Sequence, residues 1–124
     1  MEHQLIAKHY LRYLEQGATT KIIDLFAPEG YVDSPLYGMQ KAADFYQALS
    51  TDTISSTLKL HNIFEDHSTN SIALYFSYEW VLKNQEQVQF DVVDIIEFDR
   101  NNKIAKLKII YDTVVSRKLM DALQ

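Results

Sequence analysis

The sequence contains no cysteine. That excludes a disulfide framework and thiolate chemistry, and it fits a reducing compartment. Glycine and proline are scarce too, three and two residues in 124, so the chain offers no linker and no low-complexity tract. No apolar run approaches the roughly 20 residues that span a bilayer. The opening MEHQLIAKHYLRYLEQG carries charge throughout and lacks the apolar core of an export signal. A cytoplasmic protein with no membrane partner is expected. Basic residues are outnumbered, 12 Lys and Arg against 17 Asp and Glu for a formal charge of -5, and they are scattered. Without a basic stripe a phosphate backbone gains little, so nucleic acid is not an expected partner. No His, Asp or Glu cluster has ligand spacing, and neither a metal nor another cofactor is expected.

What is present is a chain of 124 residues, 47% of them hydrophobic, enough for one sizeable core and too short for two. A single domain over residues 1–124 follows. Ile6, Tyr10, Tyr13 and Leu14 recur at helical spacing between Glu2 and Gln16, and Gly17 stands where a C-terminal cap belongs. TTKIIDLF reads as a short second helix stopped by APEG, YVDSP as a brief strand ended by Pro35, and MQKAADFYQALS as a third helix with Ala42, Phe45 and Leu49 on one stripe. The period then changes from helical to alternating. SSTLKLHNIFEDH places Leu58, Leu60, Asn62 and Phe64 on one face and Lys59, His61, Ile63 and Glu65 on the other. NSIALYFSYEWVL, FDVVDIIEF and KIAKLKIIYD alternate as well, joined by polar breaks into an antiparallel meander. A short last helix, TVVSRKLMDAL, begins after an Asp112 or Thr113 cap. The expected class is α+β: a curved antiparallel sheet, wrapped into a cone by three helices of the N-terminal half, with a short C-terminal helix.

One strand raises a chemical question. In FDVVDIIEF, Phe90, Val92, Asp94, Ile96 and Phe98 share a face that is apolar except for its middle residue. A turn centred on Arg100 and Asn101 would set Asp94 opposite Leu107, Val92 opposite Ile109 and Phe90 opposite Tyr111. Lys106 and Lys108 then point to the other face with Asp91 and Glu97. Asp94 is left without a cation. A bulge could bring a lysine back to it, or it could sit at the wet rim of the sheet. The third reading is a carboxylic acid kept protonated in an apolar cavity, where it donates a hydrogen bond.

YLRYLEQGATTKIIDLFAPEGYVDSP, GMQKAADFYQAL and VVDIIEFDRNNKIAKLKIIYDT resemble the helical entry, third helix and final strand pair of the nuclear-transport-factor-2-like superfamily. That fold is shared by ketosteroid isomerases and SnoaL-like polyketide cyclases, and the resemblance covers nearly the whole chain. In the isomerases a Tyr and a protonated Asp hold the oxyanion while a second Asp shuttles the proton. The resemblance puts the Tyr on Tyr10 and the protonated Asp on Asp94. The base position, in a V-E-D-P-like strand, here reads V-D-S-P and falls on Ser34. A serine with no base behind it does not abstract protons at neutral pH. Asp33 is one residue away, turned to the opposite face unless the strand bulges.

His3, His9, His61 and His67 all read as surface residues, which removes the paired imidazoles of a dehydratase. Arg12, Arg100 and Arg117 fall on helix surfaces or in a turn. Pocket walls are expected from Phe45, Phe76, Tyr78 and Trp80, and from Leu107, Ile109 and Tyr111. They suit a flat apolar molecule carrying one carbonyl or hydroxyl, or they simply fill the core. Val93, Ile95, Ile104 and Ile110 among charges make the outer sheet face apolar enough to predict a homodimer. Three functions stay open: an isomerase or cyclase stabilising an enolate-like oxyanion, a non-catalytic binding module, and a dimerisation domain with a filled cone.

Overall fold

The computed structural model describes residues 2–123. Its elements run α1 (Glu2–Gln16), α2 (Thr19–Asp24), β1 (Phe26–Ser34), β2 (Gly38–Lys41), α3 (Ala42–Asp52), β3 (Thr53–Asp66), β4 (Ser71–Leu82), β5 (Gln87–Phe98), β6 (Ile104–Ile110) and α4 (Val114–Ala122). The six strands form one curved sheet in the order β2-β1-β6-β5-β4-β3. The expected meander is β3 to β6. The helices lie along the concave face, α1 against β3 and β4 and α3 against β1.

The α1 helix stops where Gly17 adopts φ +68. The Ala18 N–H then reaches the Tyr13 carbonyl at 2.9 Å and the Gly17 N–H the Leu14 carbonyl at 3.2 Å, the paired bonds of a Schellman end. That closure turns the chain back into α2 and leaves Ala7, Tyr10, Leu11 and Leu14 buried on the side facing the sheet.

Several boundaries differ from the sequence reading, each for a local reason. The APEG segment is strand, because β1 pairs with β6 at Phe26 and again from Tyr31 onward, with the ladder interrupted between them. Pro28 and Gly30 fall in that interruption, where a missing donor or side chain costs no ladder bond. β1 and β6 run parallel, the one departure from an antiparallel sheet. The residues of β2 carry the start of the third-helix pattern, MQK; Gly38, at φ +74, instead opens a short hairpin and α3 starts at Ala42.

In β3 a bulge between Leu60 and Asn62 exchanges the two faces. Leu60 opposes Phe76 before it, whereas beyond it Ile63 opposes Leu74 and Phe64 opposes Ala73. Ile63 therefore packs inward, and Phe64 lies 60% exposed on the outside, the reverse of strict alternation. The β5–β6 turn is also longer than expected. The Asp99 carboxylate accepts from the N–H groups of Asn101 and Lys103, Asn102 takes φ 60, and a further irregularity follows at Phe98. Asp94 consequently faces Ile109 and Ile96 faces Leu107. A shift of two residues keeps every side chain on its predicted face. Ile104 is the exception: beside the irregularity it turns inward and is fully buried.

Gly30 is the tightest backbone position. A Cβ there would lie 2.7 Å from the Ile104 carbonyl oxygen and 2.9 Å from a Phe26 ring carbon. Gly30→Ala should therefore destabilise the domain by about 2 kcal/mol through overpacking. Gly17→Ala meets no atom within 4 Å and carries only the left-handed backbone penalty, about 1 kcal/mol. Denaturant unfolding of both variants checks the order; equal losses would contradict the tight approach at Gly30.

Candidate functional site

Alternation along β4 and β5 aims Phe76, Tyr78 and Trp80, with Phe90, Val92 and Asp94, into the concave side, where α1 and α3 close over them. The result is a small cavity lined mainly by aromatic rings. Tyr10 and Leu14 enter from α1, Phe45 and Leu49 from α3, and Ile109 and Tyr111 from the end of β6. Its free volume is ≈ 40 Å³, space for a few waters and less than a small-ligand site occupies. Leu107, expected in the wall, is buried behind it in the core.

Asp94 is 1% exposed, and its Oδ1 has no hydrogen-bond partner. Burial drives its carboxyl well above the ordinary carboxylate range. Neither lysine reaches it, since Lys106 pairs with Glu97 and Lys108 with Ile95 on the outer face. An unpartnered carboxylate at this depth would cost far more than the neutral acid.

Tyr10 is equally buried, and its hydroxyl lies 2.7 Å from the hydroxyl of Tyr46. Burial raises both phenols well above the usual range; for Tyr10 the Tyr46 ring and the charge Asp94 would carry add to it. Tyr46 escaped the sequence reading, although it sits one turn after Ala42 on the inward stripe of α3. Two similar ties flank this pair. The Tyr78 hydroxyl is 2.8 Å from Ser56 Oγ, with its phenol pushed up to about 12 chiefly by burial, and Trp80 Nε1 donates to Thr53 Oγ1 at 2.8 Å. At the other side of the cavity Tyr37 donates to Asp52 Oδ2 at 2.7 Å.

The two candidate bases take other roles. Ser34 lines the cavity and is 5% exposed, but its Oγ accepts the backbone N–H groups of Leu36 and Tyr37, both at 3.3 Å. It holds the turn that Pro35 begins. Asp33 alternates to the outer face, paired in register with Lys108 and Met39, and does not line the cavity. Among the described residues Asp94 is the one carboxylate in the lining.

His9 is half-buried and His61 and His67 are exposed. His3 corrects the surface reading: its side chain is 12% exposed and stacks on Phe98 at 4.0 Å, with Nε2 3.1 Å from Asn102 Oδ1. It pins the start of α1 to the β5–β6 turn, far from the aromatic lining. Of the two expected caps, Thr113 holds the N-cap position of α4 without a side-chain cap bond, and Asp112 before it accepts the Val114 N–H at 3.0 Å. Among the described residues no group of three or more His, Asp or Glu could hold a metal ion, and no helix is long and apolar enough to cross a membrane.

A curved six-stranded sheet with helices along one face is a fold already known from solved structures. A protein of unknown function from Burkholderia pseudomallei, described as NTF2-like, superposes with TM-score 0.83 at 14% identity over 96% of this chain and 97% of its own. TerC, co-crystallised with polyporic acid, gives 0.80 at 14% identity over 98% and 99%. SalBIII, an epoxide hydrolase/cyclase-like enzyme of pyran-ring formation in the polyether salinomycin, gives 0.78 at 14% identity over 90% and 95%. The chain thus has the NTF2-like fold. No family model and no curated protein matches the sequence.

The Asp94 environment makes a prediction for stability against pH. A carboxyl raised on folding binds its proton more tightly in the native state, so stability is full below the unfolded value of about 3.9 and falls as pH rises towards the folded value. The fall approaches about 1.4 kcal/mol per pH unit. Asp94→Asn removes that dependence, and its stability relative to wild type should climb steadily above about pH 4. Parallel wild-type and Asp94→Asn curves in urea titrations between acid and neutral pH would contradict a raised Asp94.

Proposed function

We propose that the protein binds a small, flat, apolar molecule in the cone through one carbonyl or hydroxyl oxygen, to which the Asp94 carboxyl and the Tyr10 hydroxyl donate, the cavity widening from its ≈ 40 Å³ as the ring enters. The observation that carries this reading is Asp94 Oδ1, buried, unpartnered and set in the lining of an aromatic cavity. A neutral carboxyl has one proton to give and no protein acceptor at that oxygen, so a ligand oxygen would complete the site. Tyr46 supports Tyr10: when Tyr46 donates across their 2.7 Å contact, Tyr10 keeps its own proton for the cavity and becomes a stronger donor. Where a carbonyl turns into an enolate, both bonds strengthen as charge develops, and the site favours an isomerisation or cyclisation. The likeness to SalBIII, a cyclase-like enzyme, supports that direction.

A binding role without turnover is the second reading, and Ser34 favours it. Its hydroxyl is committed to the turn, and no second carboxylate joins Asp94 among the described lining residues. Any proton transfer in the cone would then fall to Asp94 itself. The two readings share one oxygen-binding pair. We place the protein in the cytoplasm, where a chain without cysteine needs no oxidant.

A phenol whose absorbance reports ionisation, 4-nitrophenol, tests the shared step. It should bind wild type with its ionisation shifted to lower pH. Asp94→Asn and Tyr10→Phe should each weaken binding at least about tenfold, the loss expected for one hydrogen bond to a charged oxygen. Unchanged affinity and ionisation in both variants would sink the proposal.

We further propose a homodimer through the outer sheet face, where Tyr75, Val93 and Ile95 are half-buried and Ile110 is 44% exposed. Sedimentation should give the mass of two chains, and Ile110→Glu should halve it. A monomeric wild type at high micromolar concentration would dismiss the dimer.

A further inference from the structure

A second hollow adjoins the cone. It is a groove of ≈ 300 Å³ between the C-terminal ends of α1 and α3, the start of α2 and the first residues of β3. Its volume reaches the lower end of the range for small-ligand sites, which the cone cavity does not. The two share a wall one side chain thick. Tyr46 on the groove side meets Tyr10 on the cone side, Ser56 meets Tyr78, and Thr53 meets Trp80, each pair joined by a hydrogen bond of 2.7 to 2.8 Å. These three ties fix the polar part of the partition. Leu14 and Leu49 line both hollows, and being aliphatic they have no such tie. Leu14 is buried and Leu49 half-buried, and displacement of these two side chains is the rearrangement the partition would need. It would join the hollows without breaking any of those bonds.

The chemistry of the groove differs from that of the cone. Its lining has no Lys, Arg or His, and its one carboxylate, Glu15, already accepts the Leu58 N–H at 3.0 Å. An anionic group would find no counter-charge there. Thr19, Ser50 and Ser55, whose hydroxyls have no intramolecular partner among the described residues, line the groove beside apolar Ile22 and Ile54. Neutral hydroxyls alternating with apolar surface suit a polyol ring, which presents both.

We propose that groove and cone are one bipartite site, the cone taking an aryl head and the groove a neutral, hydroxyl-rich substituent of about glycosyl size, with Leu14 and Leu49 as the movable partition. This inference rests on the oxygen-binding reading of the cone. The probes are 4-hydroxyphenyl β-glucoside and 4-methoxyphenol, which differ by the glycosyl group, measured by calorimetry on the full chain. The glucoside should bind wild type at least about tenfold more tightly, roughly 1.4 kcal/mol. Ser50→Phe, which fills the groove from an exposed position, should erase that advantage and leave 4-methoxyphenol unchanged. Ser55→Phe serves as the second groove variant, and circular dichroism of each confirms folding. Equal affinities in wild type would overturn the bipartite site while leaving the cone reading intact. Glucoside binding that survives Asp94→Asn and Tyr10→Phe undiminished would overturn it too, since the groove would then act alone. Failure of both probes to bind would overturn it together with the oxygen-binding reading beneath it.

Discussion

The site depends on one constraint: a carboxyl group is held inside an apolar cone with nothing to neutralise it. Burying a polar atom without a partner costs about 1–3 kcal/mol, and burying it ionised costs much more. Burial therefore favours the protonated form of Asp94, and the rings around it have their own polar groups largely engaged elsewhere. Tyr78 turns to Ser56, Trp80 to Thr53 and Tyr37 to Asp52, each away from Asp94. These bonds satisfy the edges of bulky side chains while their faces stay apolar. The cone can then be dry around its acid while these three donors stay satisfied.

That arrangement also explains why Tyr10 and Tyr46 matter as a pair. A lone buried tyrosine with a protein acceptor would be structurally satisfied and chemically inert. Two hydroxyls facing each other contain two protons for one bond, so one proton is left over wherever the pair points it. When Tyr46 is the donor, the spare proton is on Tyr10, which lines the same cavity as Asp94. On the proposed reading, an incoming oxygen with two lone pairs would accept from both.

Much of this is legible in the sequence, and the failures have definite causes. The inward placement of Asp94, Phe90, Val92 and Ile96 follows from alternation and survives an error of two residues in register, because an even shift preserves faces. The bulge in β3 shifts by one and therefore sends Ile63 and Phe64 to the sides opposite those that alternation assigns. Nothing in LKLHNIFED distinguishes a regular strand from a bulged one, since the bulge is a feature of the pairing of β3 with β4. β1 extends beyond its sequence signal for a related reason: Pro28 and Gly30 signal a turn locally, yet they sit where the parallel partner leaves a gap in the ladder. Tyr10 is found by resemblance, whereas Tyr46 needs the contact between α1 and α3, a tertiary fact that helical spacing alone does not contain.

Ser34 shows how the same local geometry bears on function. The turn after β1 requires an acceptor for the N–H groups of Leu36 and Tyr37, and a short hydroxyl side chain supplies it without adding charge to the cone. An aspartate at that position could cap the turn as well, but it would bring a second carboxylate into the lining shared with Asp94. Two acids in one apolar cavity raise each other's cost of ionisation, and one of them would remain protonated in any case. With serine there, the turn is satisfied without added charge, and Asp94 keeps the cavity to itself. Ser34 thus supports the turn at Tyr37, and on the proposed reading acid and base chemistry in this cone would share the one carboxyl group among the described lining residues.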